Sequence, residues 1–223
     1  RDDCLINPSL PLLIGVSGGP DSLCLAHALH ALHYNLLIAH FNHHLRPESS
    51  TEARFVQDWA ATNGLPFLLG EGDVRSFSKT QHLSTEEAAR TLRYRFLFAQ
   101  ARRHQAQAVA VAHNADDQVE TILMHLLRGA GLSGLKGMLP VSLNEGWDES
   151  IPLVRPLLGV WRKDIENYCA NEGLSPSLDA TNNDTTYYRN RLRHQLIPHL
   201  ETYNPQIRQV IWRTGRALAG DAD

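Results

Sequence analysis

The stretch Leu12-Leu13-Ile14-Gly15-Val16-Ser17-Gly18-Gly19-Pro20-Asp21-Ser22-Leu23-Cys24-Leu25-Ala26 decides the fold class. Leu12 to Val16 is an apolar run, and Leu23, Ala26 and Leu29 then recur at helical spacing. A strand that passes through a tight loop into a helix opens a parallel α/β sheet. At that junction backbone N–H groups and the helix dipole can receive an anion. Gly18 and Gly19 let the backbone approach a phosphate, and Ser17 and Ser22 add hydroxyl donors. Asp21 is an odd neighbour for a phosphate unless Mg2+, a ribose or an amine offsets its charge. No Lys directly follows the last Gly, so this is not a Walker loop and γ-phosphate transfer of that type is disfavoured. Two other readings use the same residues. One is a tight turn in which Ser or Asp merely caps the helix. The other takes Gly15-Val16-Ser17-Gly18-Gly19 as the Gly-x-Ser-x-Gly elbow of serine hydrolases. That elbow normally follows several earlier strands, and here too few residues precede the first one.

Beyond that junction, Leu36 to Phe41 reads as a second strand and Thr51 to Asn63, stopped by Gly64, as a second helix. Pro66 to Leu69 reads as a third strand. A polar connection over 71–83 leads to Ser84, which with Glu87 forms a capping box for a helix to about His104. Ala108 to Ala112 is a further strand. Asn114 caps the next helix, with Asp116 and Asp117 in its first turn and Val119, Ile122, Leu123, Leu126 and Leu127 as its apolar stripe. The Gly-rich segment from Gly129 to Ile151 reads as loop, Ile151 to Leu158 as a strand, Arg162 to Asn171 as a helix ended by Gly173, and 174–186 as loop. Two helices, about Tyr188 to Tyr203 and Pro205 to Leu218, close the sequence. Strands alternating with helices predict a parallel sheet covered on both faces.

The 223 residues are 43% hydrophobic and 20% charged, the balance of a folded globular protein. A net charge of −3 gives no bulk support for nucleic-acid binding, so local clusters must carry that argument. Lys occurs only at Lys79, Lys136 and Lys163, so the remaining basic residues are Arg, the better fork for phosphate and carboxylate oxygens. Cys4, Cys24 and Cys169 are odd in number and far apart, which argues against a disulfide framework and for a reducing, cytoplasmic setting. No apolar run approaches the length of a membrane span. His40, His43, His44 and His113 lack nearby cysteines at a zinc spacing and read more simply as residues bordering a ligand cleft at the carboxyl ends of the strands. His27, His30 and His33 repeat at helical spacing on one partly exposed face.

Strand, Ser-Gly-Gly-x-Asp-Ser, helix resembles the loop of the N-type ATP pyrophosphatases, the PP-loop superfamily. Four further segments are similar to one family within it, the tRNA(Ile)-lysidine synthetases. They are His40-Phe41-Asn42-His43-His44-Leu45-Arg46; Glu86-Glu87-Ala88-Ala89-Arg90 with Arg93-Tyr94; Ala112-His113-Asn114-Ala115-Asp116-Asp117-Gln118 with Glu120-Thr121; and Asp179-Ala180-Thr181-Asn182-Asn183-Asp184 followed by Arg189-Asn190-Arg191-Leu192-Arg193. The resemblance implies a five-stranded parallel sheet with helices on both faces, followed by a helical C-terminal segment. It implies a PP-loop catalytic domain over 1–187, with 188–223 as a basic helical extension that begins a further tRNA-binding domain.

It also implies an ATP-dependent carbon–nitrogen ligase. The C2 oxygen of the wobble cytidine in tRNA(Ile) with a CAU anticodon attacks the α-phosphate of ATP, and the amine of free L-lysine then displaces AMP to form lysidine. Ser17, Gly18, Gly19, Pro20, Asp21, Ser22 and His113 would hold ATP, with Asp21 acting through Mg2+ or the lysine amine. Asp21, Arg93 and Asp117 would be catalytic. The chemistry suits these types: adenylation needs positive charge near the α-phosphate and a metal for the leaving pyrophosphate. Lysine needs carboxylates, and Asp116, Asp117 and Glu120 gather acid at one helix start; helix phase sets Asp117 opposite the apolar stripe. Acids there also suit the dipole alone. Arg46, Arg90, Arg189, Arg191 and Arg193 are the expected tRNA contacts. Arg90 and Arg93 share a helix face, where Glu86 and Glu87 can also pair with Arg90. From 187 to 216 six arginines stand against one acid, Glu201, with Tyr188, Tyr203 and Trp212 among them. That pattern suits phosphate tracking and base stacking, or a solvated face over an aromatic core. A homodimer is left open and no membrane is involved. Two rivals remain: a PP-loop tRNA thiolase, which needs reactive cysteines, and a non-catalytic ATP-binding module.

Overall fold

Strand β1 (Leu12–Gly15) runs through the middle of a six-stranded sheet in the order β3-β2-β1-β4-β6-β5. The structure is a computed structural model that describes residues 4–46, 49–144, 146–177 and 188–220. The other strands are β2 (Leu36–Asn42), β3 (Phe67–Glu71), β4 (Val109–Ala110), β5 (Val141–Asn144) and β6 (Asp148–Val154). Helices α1 (Pro20–Ala31), α2 (Ser49–Thr62), α3 (Val74–Gln81), α4 (Thr85–Arg103), α5 (Ala115–Leu127), α6 (Leu132–Leu135) and α7 (Arg162–Asn171) connect and follow them. α8 (Tyr188–Arg191) continues through a π-helical turn, Leu192–Leu196, into α9 (Ile197–Tyr203), and α10 (Ile207–Gly220) ends the described chain.

The parallel strands are buried on both faces, so their sequences read as continuous apolar runs. Alternation then divides the core in two. Leu12 and Ile14 of β1, with Leu36 and Ile38 of β2, meet Cys24, Leu25 and Leu29 of α1, Val56 of α2 and Ile165 of α7. Leu13, Leu37 and Ala39 point the other way, onto Tyr94, Leu97, Phe98 and Ala101 of α4. β3 comes close to α4 at Gly70, where a Cβ would lie 2.5 Å from the Phe96 ring. A third cluster joins Val119 and Leu123 of α5 to Leu192, Ile197, Trp161 and Trp212, so the C-terminal helices pack onto the α/β layer.

Five strands are parallel, as expected, and β5 adds an antiparallel edge strand within the Gly-rich segment read as loop. Its four residues, Val141–Asn144, have too short a pattern to be visible beside so many turn residues. The polar connection after β3 likewise holds a helix, α3, which Asp73 starts by accepting a hydrogen bond from Ser76 N at 2.9 Å. The Ser84/Glu87 capping box forms, and the cap at Asn114 proves to be a box closed by Asp117. Among the described residues no helix is long and apolar enough to cross a membrane.

This order positions the site. From β1 the chain moves outward to β2 and β3, then returns to lay β4 on the other side of β1. Ligands of open α/β sheets bind where the order reverses, outside the carboxyl ends of the strands. Here that point lies between the segment after β1, Val16 to Ser22, and the segment after β4, Val111 to Asn114.

Candidate active site at the reversal of strand order

The loop after β1 is held by its own hydroxyls. Ser22 Oγ accepts from Ser17 N at 3.1 Å and donates to the Gly19 carbonyl at 3.1 Å, while the Ser17 and Ser22 hydroxyls lie 3.1 Å apart. Gly18 takes φ +94°, a conformation that side chains rarely adopt, with Val56 3.4 Å from where a Cβ would stand. The glycine is therefore required by the turn itself. The loop borders a cleft of about 570 Å3, also lined by His40, His43, Arg46, Arg93, His113 and Arg162.

Asp21 opens α1 and is the junction of the site. Its Oδ1 accepts from Asn114 Nδ2 at 2.9 Å, and its Oδ2 lies 3.4 Å from Arg162 Nη2. Burial pushes its carboxyl up from the ordinary value, Arg162 and Asn114 pull it back, and Asp117 adds a smaller upward push. Asn114 thus does two jobs. Its amide nitrogen holds Asp21 while its Oδ1 accepts from Asp117 N at 3.0 Å, closing the cap of α5. One residue ties the phosphate-type loop to the acid-bearing helix.

That helix carries Asp116, Asp117 and Glu120, and the C-terminal helices reach back to all of them. Arg193 Nε donates to Glu120 Oε1 at 2.6 Å and Nη2 to Asp117 Oδ1 at 3.4 Å. Arg189 Nε stands 3.6 Å from Glu120 Oε2, and its Nη2 donates to Thr121 Oγ1 at 3.2 Å. Arg208 Nη1 donates to Asp116 Oδ1 at 2.8 Å. The Glu120 side chain has 0% exposure. Burial works against the Arg193 charge, yet the hydrogen bond and charge of Glu120 outweigh it and raise its pKa. Asp117, set opposite the apolar stripe by helix phase, is only 13% exposed, because Arg193 covers it.

On the α4 side Arg93 has a buried Nε with no hydrogen-bond partner among the described residues, and its guanidinium lies 5.3 Å from the Tyr94 ring centroid. A buried cation with an unused donor is suited to an anion. Arg90 is exposed and stacks over the same ring at 4.7 Å, outside the residues that line the cleft. His113 Nδ1 is likewise buried without a partner among the described residues. Burial, then Arg155, Arg90, Arg93 and Arg189, hold its pKa well below the ordinary value, so the ring is neutral at pH 7. His40 Nδ1 lies 2.8 Å from the Val16 carbonyl, and burial lowers its pKa; His43 is lowered to about 4 by burial, Arg93, His40 and Arg46. His44 is exposed and pairs with Glu71 at 3.6 Å. The cleft is therefore lined by neutral imidazoles and permanent guanidinium cations.

The structure brings Ser17, Gly19, Pro20, Asp21, Ser22, His113, Arg93 and Arg46 to one cleft, leaves Gly18 in the turn outside its lining and sets Asp116, Asp117 and Glu120 beside it, while Arg191 is exposed over the Tyr188 ring. The segment Asp179 to Asp184, together with 174–187 beyond Ser177, lies outside the described residues. Arg162 escaped the sequence reading. Its signal was its place: it is the first residue of a helix, where the dipole disfavours a cation.

Residues 6–200 match the model of the PP-loop domain family. The chain is 41% identical over 224 residues to a tRNA(Ile)-lysidine synthase of Dehalococcoides mccartyi, covering 97% of this chain and 47% of that protein. A tRNA(Ile)-lysidine synthase of Geobacter sulfurreducens is 40% identical, with 97% and 46% covered. The chain thus spans about half the length of the curated relatives it matches. Among solved structures, the U34-tRNA thiolase NcsA from Methanococcus maripaludis superposes with TM-score 0.75 at 16% identity, covering 98% of this chain and 75% of that one. An NH3-dependent NAD synthetase from Campylobacter jejuni gives 0.52 at 14%, covering 97% and 89%. These two share the fold. With the matched region holding the loop, both capping boxes and every residue that lines the cleft, the chain belongs to the PP-loop domain family.

Proposed function

We propose that this chain carries the ATP-cleaving and ligating centre of a tRNA(Ile)-lysidine synthase. The observation that carries the reading is Asn114, which joins the Ser-Gly-Gly-Pro-Asp-Ser loop to the acid-bearing helix beside a cleft lined by arginine. Sequence identity near 40% with curated synthases supports it. The partners are ATP, free L-lysine and tRNA(Ile) with a CAU anticodon, and the compartment is the cytoplasm. Residues 1–187 form the catalytic unit, and 188–223 lead towards the tRNA.

In the first step the cytosine C2 oxygen attacks the α-phosphorus, the bond from Pα to its bridging oxygen breaks, and pyrophosphate leaves with the electron pair. The loop amides and the Ser17 and Ser22 hydroxyls hold the phosphates. Arg93 meets the charge that grows on the α-phosphate oxygens, in a setting of low dielectric where a fixed cation acts strongly. His113, neutral, hydrogen-bonds the nucleotide without adding charge. Mg2+ is usually held by one or two carboxylates together with substrate phosphates, and Asp21 is the carboxylate placed to do this. Its remaining lone pairs fit that role, and bound Mg2+ would supply charge for the departing pyrophosphate. In the second step the lysine amine, after giving its proton to a neighbouring carboxylate, attacks C2, the C2–O bond breaks and AMP departs with that oxygen. Asp116, Asp117 and Glu120 attract the ammonium groups, sharing their oxygens with Arg208, Arg193 and Arg189. Arg46, Arg90 and Arg191 offer contacts for tRNA phosphates.

A thiolase would pass sulfur through cysteines, and Cys4, Cys24 and Cys169 are all buried. The test is nucleotide product analysis with α-labelled ATP. The reading expects AMP, formed only when tRNA is present; ADP, or AMP without tRNA, overturns it.

A further inference from the structure

The geometry points to Arg162 as a phosphate-binding residue that takes the β- and γ-phosphates, the part of ATP that leaves. This rests on the reading of the cleft as an ATP site. Arg162 lines that cleft with Ser17, Gly19, Asp21 and Ser22. Its guanidinium is only partly used: Nη2 makes a loose 3.4 Å contact with Asp21, and Nε is buried with no hydrogen-bond partner among the described residues. A guanidinium has five donors in a rigid fork suited to phosphate oxygens.

The backbone that carries it is fixed from both ends. Arg162 N donates to Asp116 Oδ2 at 2.9 Å, and Asp116 is held in turn by Arg208 at 2.8 Å. After α7, Ser177 N donates to the Gly18 carbonyl at 3.0 Å, so the segment returns to the loop itself. Between these anchors Ile165 and Cys169 are buried against α1, with Cys169 Sγ 3.7 Å from the Pro20 carbonyl. A cation at the start of α7 opposes that helix's dipole. Asp21 offsets the charge through a single long contact, and a polyphosphate beside the loop would complete it. When Pα loses its bridging oxygen, negative charge accumulates on the departing pyrophosphate, and a preplaced guanidinium there favours departure.

The experiment measures equilibrium binding of Mg-ATP, AMP and inorganic pyrophosphate to the full chain, in wild type, Arg162→Ala and Arg162→Lys, each also with Asp21→Asn. The neighbouring exposed Lys163→Ala serves as control. Loss of charge-assisted hydrogen bonds predicts that Arg162→Ala weakens ATP and pyrophosphate by about tenfold or more, with AMP changed less than about twofold. Arg162→Lys recovers part of the loss, and the effect persists in the Asp21→Asn background. Equal weakening of ATP and AMP, or an effect that vanishes when Asp21 is Asn, overturns the assignment and leaves Arg162 as a partner of Asp21 alone. If the wild type binds no ATP, the underlying reading of the cleft fails instead.

Discussion

Asn114 is the residue whose loss is felt in both halves of the site. Replacing it with Ala removes the α5 cap, which is worth about 1 kcal/mol. It also removes the donor to Asp21 and leaves a largely buried carboxylate oxygen unsatisfied, at a further cost of about 1–3 kcal/mol. The two add to roughly 2–4 kcal/mol, which in a chain of this size lowers Tm by roughly 4–16 °C. Asn114→Asp separates the terms. It keeps a good cap but sets a second carboxylate where Nδ2 now lies 2.9 Å from Asp21. Two such charges near 4 Å repel by about 4 kcal/mol at an effective dielectric of 20. At pH 7 Asn114→Asp is therefore expected to be less stable than Asn114→Ala. The sign with pH follows: the shared site raises a carboxyl pKa in the folded state, so stability is present at low pH and is lost as pH rises through that raised value. Thermal unfolding followed by circular dichroism from pH 4 to pH 8 reads both effects. An Asn114→Asp protein as stable as wild type at pH 7, or one whose stability relative to wild type grows with rising pH, would refute this expectation.

Three other outcomes are expected. Glu120→Ala leaves the Arg193 guanidinium without its 2.6 Å partner, and breaking a buried pair in this way costs about 3–5 kcal/mol, read as a fall in urea midpoint at unchanged slope. His43, neutral in the fold with its pKa near 4 against 6.5 ordinarily, contributes stability above pH 6.5 that is lost as pH falls towards 4; His43→Phe flattens that part of the stability curve, and an unchanged curve removes His43 as its cause. Arg93→Ala and Asp117→Asn each abolish lysidine formation while circular dichroism stays that of the folded protein, and full activity in either variant excludes that residue from the mechanism.

The local signals were legible because they are local. Apolar runs marked four of the five parallel strands at nearly their observed bounds, and the Ser84/Glu87 box and the Asn114 cap place helix starts from a few residues of sequence. Long-range pairing was not. Arg189, Arg193 and Arg208 form part of a basic, aromatic stripe in the sequence, yet in the fold all three turn inward to Glu120, Asp117 and Asp116. Nothing within one helix announces that its charges are answered some 70 to 90 residues earlier. Asp116 is the same lesson from the other side. Read as a lysine-binding acid or as one that merely suits the dipole, it is also the clamp between the start of α7 and α10. Arg162, marked in the sequence only as a cation at a helix start, completes the surroundings of Asp21.

The most direct measurement of the central claim is transfer of labelled free lysine into bulk bacterial tRNA with Mg-ATP, after mild alkali has removed any lysine held as a 3′ ester. Alkali-stable label with one AMP released per lysine incorporated is the expected result. Folded protein that binds ATP and tRNA yet gives neither label nor AMP would contradict it.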